Sequence, residues 1–309
     1  MAIAAVEPTI AWQAHDGRRV ARVKGYDIIQ CDLCGFRHVV PLPDPAELEA
    51  TRRKANIKEE TLAFPPQTGD DRAWADLAYN DRLESMEKLL GAQRRRLLDI
   101  GSGTGAFLKT AKARSWRVFG IESSRQASAQ ARKAGIEVAE GFFNAETAPG
   151  LGRFDAVHLS NVLECTPDPI AIAILARDLL DQGGVLCINV PNDFSPFQIA
   201  GRAATSADEW WIAPPYHLNY FDFESAAGLL ERLGLEIVER STSFPMEIFL
   251  MMGEDYTRDR ELGRACHKKR KRFDLALEAA GLKETRRIFY RALANADLGR
   301  EVVLLAVKP

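Results

Sequence analysis

The run Leu97-Leu98-Asp99-Ile100-Gly101-Ser102-Gly103-Thr104-Gly105-Ala106-Phe107 passes from an apolar strand pattern through a glycine turn into the start of a helix. Glycines adopt positive φ readily and let the backbone approach a ligand, and the helix that follows offers N–H groups with no intrahelical partner. The turn therefore reads as a ligand site at the carboxyl end of a strand. Alone it leaves the ligand open, because Gly101, Gly103 and Ala106 also fit the dinucleotide spacing G-x-G-x-x-G/A. The flanking carboxylates carry more information. Asp99, two residues before the first glycine, repels a pyrophosphate and suits a cationic ligand. Glu122, with Ser123 beside it, ends the next strand, where a carboxylate accepts hydrogen bonds from ribose hydroxyls in either ligand class.

Outward from this turn, short apolar runs alternate with helical stretches. Strands read as Leu97 to Ile100, Val118 to Ile121, Ile136 to Ala139, Ala156 to Leu159 and Val185 to Val190, with helices from Thr104 to Arg114, Ser124 to Ala134 and Ile170 to Leu180. That is the pattern of βαβ units, and right-handed crossovers make it one open, mostly parallel α/β sheet. A helix from Phe223 to Leu233, a strand from Leu235 to Val238 and a terminal strand from Val302 to Val307 follow. Three parts are expected: an N-terminal module over 1–66, a core over 67–245 with a lid at 192–221, and a helical insertion plus terminal strand over 246–309. The module contains β-like runs from Arg19 to Val23, Tyr26 to Gln30 and Arg37 to Val40, and a helix from Asp70 to Leu90 leads into the core. The lid holds Trp210, Trp211, Tyr216, His217, Tyr220 and Phe221 without a clean period. The insertion reads as two helices, its run from His267 to Arg272 forming a solvated face.

A chain of 309 residues that is 46% hydrophobic can bury a full core, while a net charge of −2 supplies no field to hold a polyanion. Nucleic acid is disfavoured as a partner, and no Asn/Asp-Pro-Pro-Tyr-type element ends the fourth strand. No apolar run approaches the roughly 20 residues of a membrane span, and the N-terminus lacks the order of a signal peptide, so a cytoplasmic protein is expected. Five scattered cysteines form no disulfide framework; Cys165 and Cys187 read as small buried residues.

The glycine stretch resembles motif I of the class I S-adenosylmethionine-dependent methyltransferases, particularly the ubiquinone-biosynthesis-like branch that acts on sugars and small metabolites. The similarity runs from about Asp70 to Val238, through Val118-Phe119-Gly120-Ile121-Glu122, Phe154-Asp155-Ala156-Val157, the segment from Leu163 to Pro169, and Gly183-Gly184-Val185-Leu186. The resemblance implies a Rossmann-like sheet with an antiparallel last strand and S-adenosylmethionine as cofactor, its sulfonium the cation that Asp99 suits. It assigns Asp99, Gly101, Ser102, Gly103 and Gly105 to the methionine part, Glu122 and Ser123 to the ribose, and Phe142 and Phe143 to the adenine. Ser160 and Asn161 fall beside the transferring methyl, with Glu164 close behind. The branch commonly carries His after that glutamate; here the residue is Cys165, which removes an acid–base group.

Methyl transfer from a sulfonium is an in-line displacement, so the protein supplies alignment and, for a hydroxyl or acidic carbon, a proton acceptor. His217 is the first candidate, in a stretch similar to the His-Leu-x-Tyr-Phe element that sugar methyltransferases of this type place over the substrate; Tyr216 and Glu164 are further catalytic candidates. The expected reaction is O-, N- or C-methylation of a small polar acceptor such as a sugar, nucleotide-sugar or related metabolite. Two alternatives are an NAD(P)-dependent oxidoreductase, against which Asp99 argues, and a non-catalytic partner protein that binds the cofactor without transferring methyl. Cys31-Asp32-Leu33-Cys34 has zinc-knuckle spacing, and sugar C-methyltransferases are similar in carrying two such pairs. The second pair is absent here and only His15 and His38 lie nearby, so zinc is not expected and the knuckle reads as a relic held by packing.

Overall fold

The computed structural model describes residues 15–51, 69–205 and 207–309. Leu97, Leu98 and Ile100 are buried, as a strand covered on both faces requires. They form β4 (Arg96–Ile100), the centre of a seven-stranded sheet in the order β10-β11-β8-β7-β4-β5-β6. The other strands are β5 (Arg117–Glu122), β6 (Val138–Glu140), β7 (Phe154–Ser160), β8 (Leu180–Pro191), β10 (Glu236–Ser241) and β11 (Glu301–Val307). β4 to β8 run parallel, and β11 pairs antiparallel with both β8 and β10, so the α/β sheet and its antiparallel last strand are as expected. Strand order reverses between β4 and β7, which opens a crevice at their carboxyl ends.

Helices start where short polar side chains cap them. Ser124 caps α4 (Arg125–Lys133), Asp168 caps α5 (Pro169–Asp178) ahead of a proline, and Asp222 forms a capping box with Ser225 on α7 (Phe223–Arg232). By contrast α3 (Ala106–Ala113) begins at Gly105 with no side-chain cap. The helix expected to reach Leu180 stops at Asp178, because Leu180 already pairs with Phe154 as the first residue of β8.

A second, antiparallel sheet joins β1 (Gly17–Val23), β2 (Tyr26–Cys31), β3 (Arg37–Val40) and β9 (Asn219–Tyr220). Its fourth strand comes from the lid segment, so the N-terminal strands and the lid share a core of Ile28, Val39, Trp211, Ile212, Leu218 and Tyr220. The lid also contains α6 (Pro196–Thr205).

The insertion holds three helices rather than two: α8 (Glu247–Met251), α9 (Arg260–Ala279) and α10 (Lys283–Asn295). α8 packs against α6, while α9 and α10 pack on α2 (Gly69–Leu90), where Arg286 grips Asp81 at 2.7 and 3.1 Å and Trp74 Nε1 donates to Asp274 at 2.7 Å. The charge run is accordingly not a wholly solvated face. Lys271 is buried in an ion pair with Asp71, and Arg270 lies 4.7 Å over the Trp74 ring, because α2 presents acids and an aromatic to that side. Among the described residues no helix is long and apolar enough to cross a membrane.

Candidate active site

Gly101, Gly103 and Gly105 have φ of 72°, 54° and 77°, and the N–H groups of Gly101 and Ser102 donate to Ile121 O at 2.9 and 3.2 Å, fixing the turn to β5. The glycines differ in what they face. A Cβ on Gly101 would sit 2.6 Å from Val162 Cγ2, whereas one on Gly103 would meet nothing within 4 Å. Gly101 is thus required by packing, and Gly103 borders open space where a ligand can approach. Uncapped α3 leaves its first N–H groups for an anionic part of that ligand. Glu122 closes the turn from the other side: Oε2 accepts from Gly103 N at 2.8 Å and Oε1 from Ser124 N at 2.6 Å, with Ser123 Oγ at 3.5 Å.

Asp99 is only 3% exposed, and its Oδ1 lies 2.7 Å from His158 Nδ1. Burial pushes the His158 pKa down, so the ring is neutral, with Nδ1–H donating to Asp99 and Nε2 accepting from Arg82 Nη1 at 3.3 Å. Phe107, one turn into α3, stacks on the imidazole with centroids 4.0 Å apart. One carboxylate oxygen of Asp99 is therefore committed to a buried Arg82–His158–Asp99 chain beneath the turn. The link between His158 and Asp99 depends on the β4–β7 register, which pairs the two residues directly.

Of the aromatics expected at the adenine, Phe142 is 54% exposed at the end of β6, while Phe143 is 8% exposed and buried with Ile121, Ala148 and Phe154. The pair narrows to Phe142, because alternation past β6 turns the second ring into the core. Ser160 Oγ accepts from Asn189 Nδ2 at 2.9 Å, and Asn161 takes a positive φ of 56° as its N–H donates to Asn189 O at 2.9 Å. Asn tolerates that conformation better than most residues, and here it turns the chain out of β7.

The lid is bolted to the segment after β7. Leu218 N donates to Glu164 O at 2.7 Å, and the Asn219 amide donates to Leu163 O and Thr166 O at 2.8 and 2.7 Å. Tyr216 is 42% exposed and stacks on His217, centroids 5.2 Å apart. Side-chain donor atoms of Glu164, Cys165 and His217 all lie within 4.8 Å of one another. Burial lowers the His217 pKa to about 4, which leaves a neutral imidazole, and raises that of Glu164 to about 8, the charge of Asp193 adding to the effect.

Asp193, just past β8, escapes the sequence reading, although the end of a parallel strand is where a site residue belongs. It is buried, and burial raises its carboxyl to about 8 as well. Glu164 Oε2, Asn189 Oδ1, Asp193 Oδ2, Trp211 Nε1, His217 Nδ1 and Asn219 Oδ1 are all buried without a hydrogen-bond partner among the described residues. They belong to the ends of β7 and β8, to the turns that follow them and to the stretch over 211–219.

Residues 71–240, more than half the chain, match a protein family described as Methyltransferase domain. The ubiquinone biosynthesis O-methyltransferase of Dinoroseobacter shibae is 29% identical over 152 residues, covering 47% of this chain and 61% of that protein. Its namesake from Aromatoleum aromaticum is 31% identical over 117 residues, covering 36% and 50%. The chain thus spans only half to three-fifths of the length of these curated relatives. A SAM-dependent methyltransferase from Archaeoglobus fulgidus has the same fold at a TM-score of 0.51 and 17% identity, covering 81% of this chain and 99% of that one. So does a plantazolicin methyltransferase solved with SAH, at 0.50 and 19%, covering 85% and 97%. The chain belongs to the Methyltransferase domain family, within the class I S-adenosylmethionine-dependent methyltransferases.

Proposed function

We propose that this protein methylates a hydroxyl oxygen of a small, polyhydroxylated acceptor held between the ends of β7 and β8 and the lid. The observation that carries this reading is the concentration of buried polar atoms without partners in that region. Each unpaired buried group costs about 1–3 kcal/mol, and an acceptor bearing several hydroxyls relieves that cost by donating to some atoms and accepting from others. The core over 67–245 serves as the catalytic body, with 1–66 and 246–309 as flanking parts.

The turn fits S-adenosylmethionine: Gly103 borders open space, α3 offers free N–H groups to a carboxylate, Glu122 ends β5 with a carboxylate beside the turn that can accept from ribose hydroxyls, and Phe142 presents a ring. When bound, the cofactor supplies an electrophilic methyl on a sulfonium. Asp99, clamped by His158, stiffens the floor of the turn and adds negative potential there. On the acceptor side Glu164 is the proton acceptor, since a carboxyl raised to about 8 is matched to hydroxyl deprotonation near neutral pH. His217, lowered to about 4, is too weak a base at that pH and instead receives an acceptor O–H on Nδ1.

A second reading, a phenolic hydroxyl, is favoured by the name of the curated relatives and by Trp211 and Phe194 at 5.8 Å in the lid. Labelled methyl transfer to a panel of sugars, nucleotide-sugars and catechols tests both. Turnover of a polyol supports the first reading and turnover of a catechol the second; calorimetry showing tight S-adenosylhomocysteine binding with no turnover on any hydroxyl acceptor overturns both.

A further inference from the structure

The N-terminal sheet brings together four side chains that the methyl-transfer site does not use. His15 Nδ1 lies 3.2 Å from Cys34 Sγ and 3.7 Å from Cys31 Sγ, and 3.2 Å from His38 Nε2. The four donor atoms all fall within 4.8 Å of one another, with both cysteines and His38 buried. A tetrahedral ion with bonds of about 2.3 Å to sulfur and about 2.05 Å to nitrogen sets sulfur–nitrogen edges near 3.6 Å and nitrogen–nitrogen edges near 3.3 Å. The three separations around His15, 3.7 and 3.2 Å to sulfur and 3.2 Å to nitrogen, lie within about 0.4 Å of those edges.

The protonation pattern agrees. His38 Nδ1 is 3.0 Å from Val39 O, and a carbonyl only accepts, so the proton is on Nδ1 and the Nε2 lone pair turns into the cluster. Cys34 N donates to Cys31 Sγ at 3.4 Å, and Arg232 Nη2 donates to Cys34 O at 2.6 Å, so the loop that presents both sulfurs is pinned at each end. Two thiolates, two neutral imidazoles and a dication sum to zero charge, which a buried site tolerates.

We propose that His15, Cys31, Cys34 and His38 bind one structural zinc ion, which holds the N-terminal sheet and through it the acceptor-facing wall of the lid. Spacing alone argues against zinc because a second cysteine pair is missing; folding of β1 to β3 supplies two histidines in its place. A closed Cys2His2 set leaves no position for substrate, which makes the site structural. Its reach into the active site runs through one register pair. His38 sits opposite Asn219 of β9, and the Asn219 amide holds the carbonyls of Leu163 and Thr166 on either side of Glu164.

The test is metal analysis of the full chain purified without chelator from zinc-replete cells. The expected result is about one zinc per chain, falling below about a tenth in Cys31→Ser and His38→Ala. Because those variants risk misfolding, the wild-type protein is also stripped and titrated with Co(II). The expected spectrum has intense tetrahedral visible bands and a thiolate-to-cobalt charge-transfer band, and the stripped protein shows a raised acceptor KM with unchanged S-adenosylhomocysteine affinity. Zinc-free wild-type protein that binds no Co(II), a Cys31–Cys34 disulfide in the intact mass, or zinc retained at full level in both variants overturns the proposal.

Discussion

Replacing Glu164 by Gln should make the protein more stable at alkaline pH while removing methyl transfer. The side chain is 1% exposed with one carboxyl oxygen unpartnered, and burial raises its pKa from 4.5 to about 8. The sign follows from where the proton resides. Between those two values the native state keeps its proton while the unfolded chain has released it, so stability is fully present below about pH 4.5 and is lost as pH rises through about 8. At 1.36 kcal/mol per unit, the loss between pH 5 and pH 8 is about 3 kcal/mol. Glutamine, neutral throughout, carries no such term. The constant offset between the two proteins mixes in packing differences, so the informative quantity is how that offset changes with pH. Guanidinium unfolding of both proteins at several pH values should show Glu164→Gln gaining about 3 kcal/mol relative to wild type from pH 5 to pH 8, or several degrees in Tm. An offset that stays flat over that range would mean that Glu164 ionises normally in the native state, and its role as a tuned proton acceptor would fall with it.

The same tuning should appear in catalysis: kcat/KM of the wild type rises with unit slope toward about pH 8, and the rising limb disappears in Glu164→Gln; a limb that persists in the variant assigns the proton to another group. Glu122→Ala removes the acceptor of two backbone N–H groups and the ribose partner, and calorimetry should find S-adenosylhomocysteine bound about 10- to 100-fold more weakly with the far-ultraviolet spectrum intact. The first two glycines of the turn should separate by assay. Gly101→Ala meets Val162 at positive φ and should lose about 2–3 kcal/mol of stability, whereas Gly103→Ala has room for its Cβ, costs about 1–2 kcal/mol for the backbone alone, and weakens cofactor binding more than its stability loss explains. Equal behaviour of the two variants would contradict the division between packing and ligand roles.

What was legible in the sequence was what repeats or is local. The central parallel strands announce themselves as apolar runs, since β4, β7 and β8 are buried on both faces, and the glycine turn is a contiguous string. Chemistry assembled across strands was not. His158 becomes the clamp of Asp99 through the β4–β7 register, and Asp193 joins the buried unpartnered polar groups by lying just past the end of β8. β9 is two residues long and leaves no periodicity to read, yet it joins the lid to the N-terminal strands. Phe142 and Phe143 are adjacent and chemically identical, and only the direction of the chain after β6 distinguishes the exposed ring from the buried one.

These cross-strand links divide the molecule differently from the chain order. The cofactor side is built from one continuous stretch, β4 through β6, whose turn, carboxylate and aromatic follow each other in sequence. The proposed acceptor side is a composite. Its floor comes from the ends of β7 and β8, its cover from the lid, and the lid is held by hydrogen bonds to β3 and by Arg37, which pairs with Asp222 at 2.8 Å and lies 4.7 Å over the Phe194 ring. Val39 N donates to Leu218 O at 2.9 Å in the same seam. Changes in the N-terminal sheet therefore reach the acceptor wall through β3 and β9 without touching the turn from Gly101 to Gly105. On the proposed reading such an arrangement lets acceptor choice vary while the methyl-donor site stays constant, since β4 to β6 carry the one and β7, β8 and the lid the other.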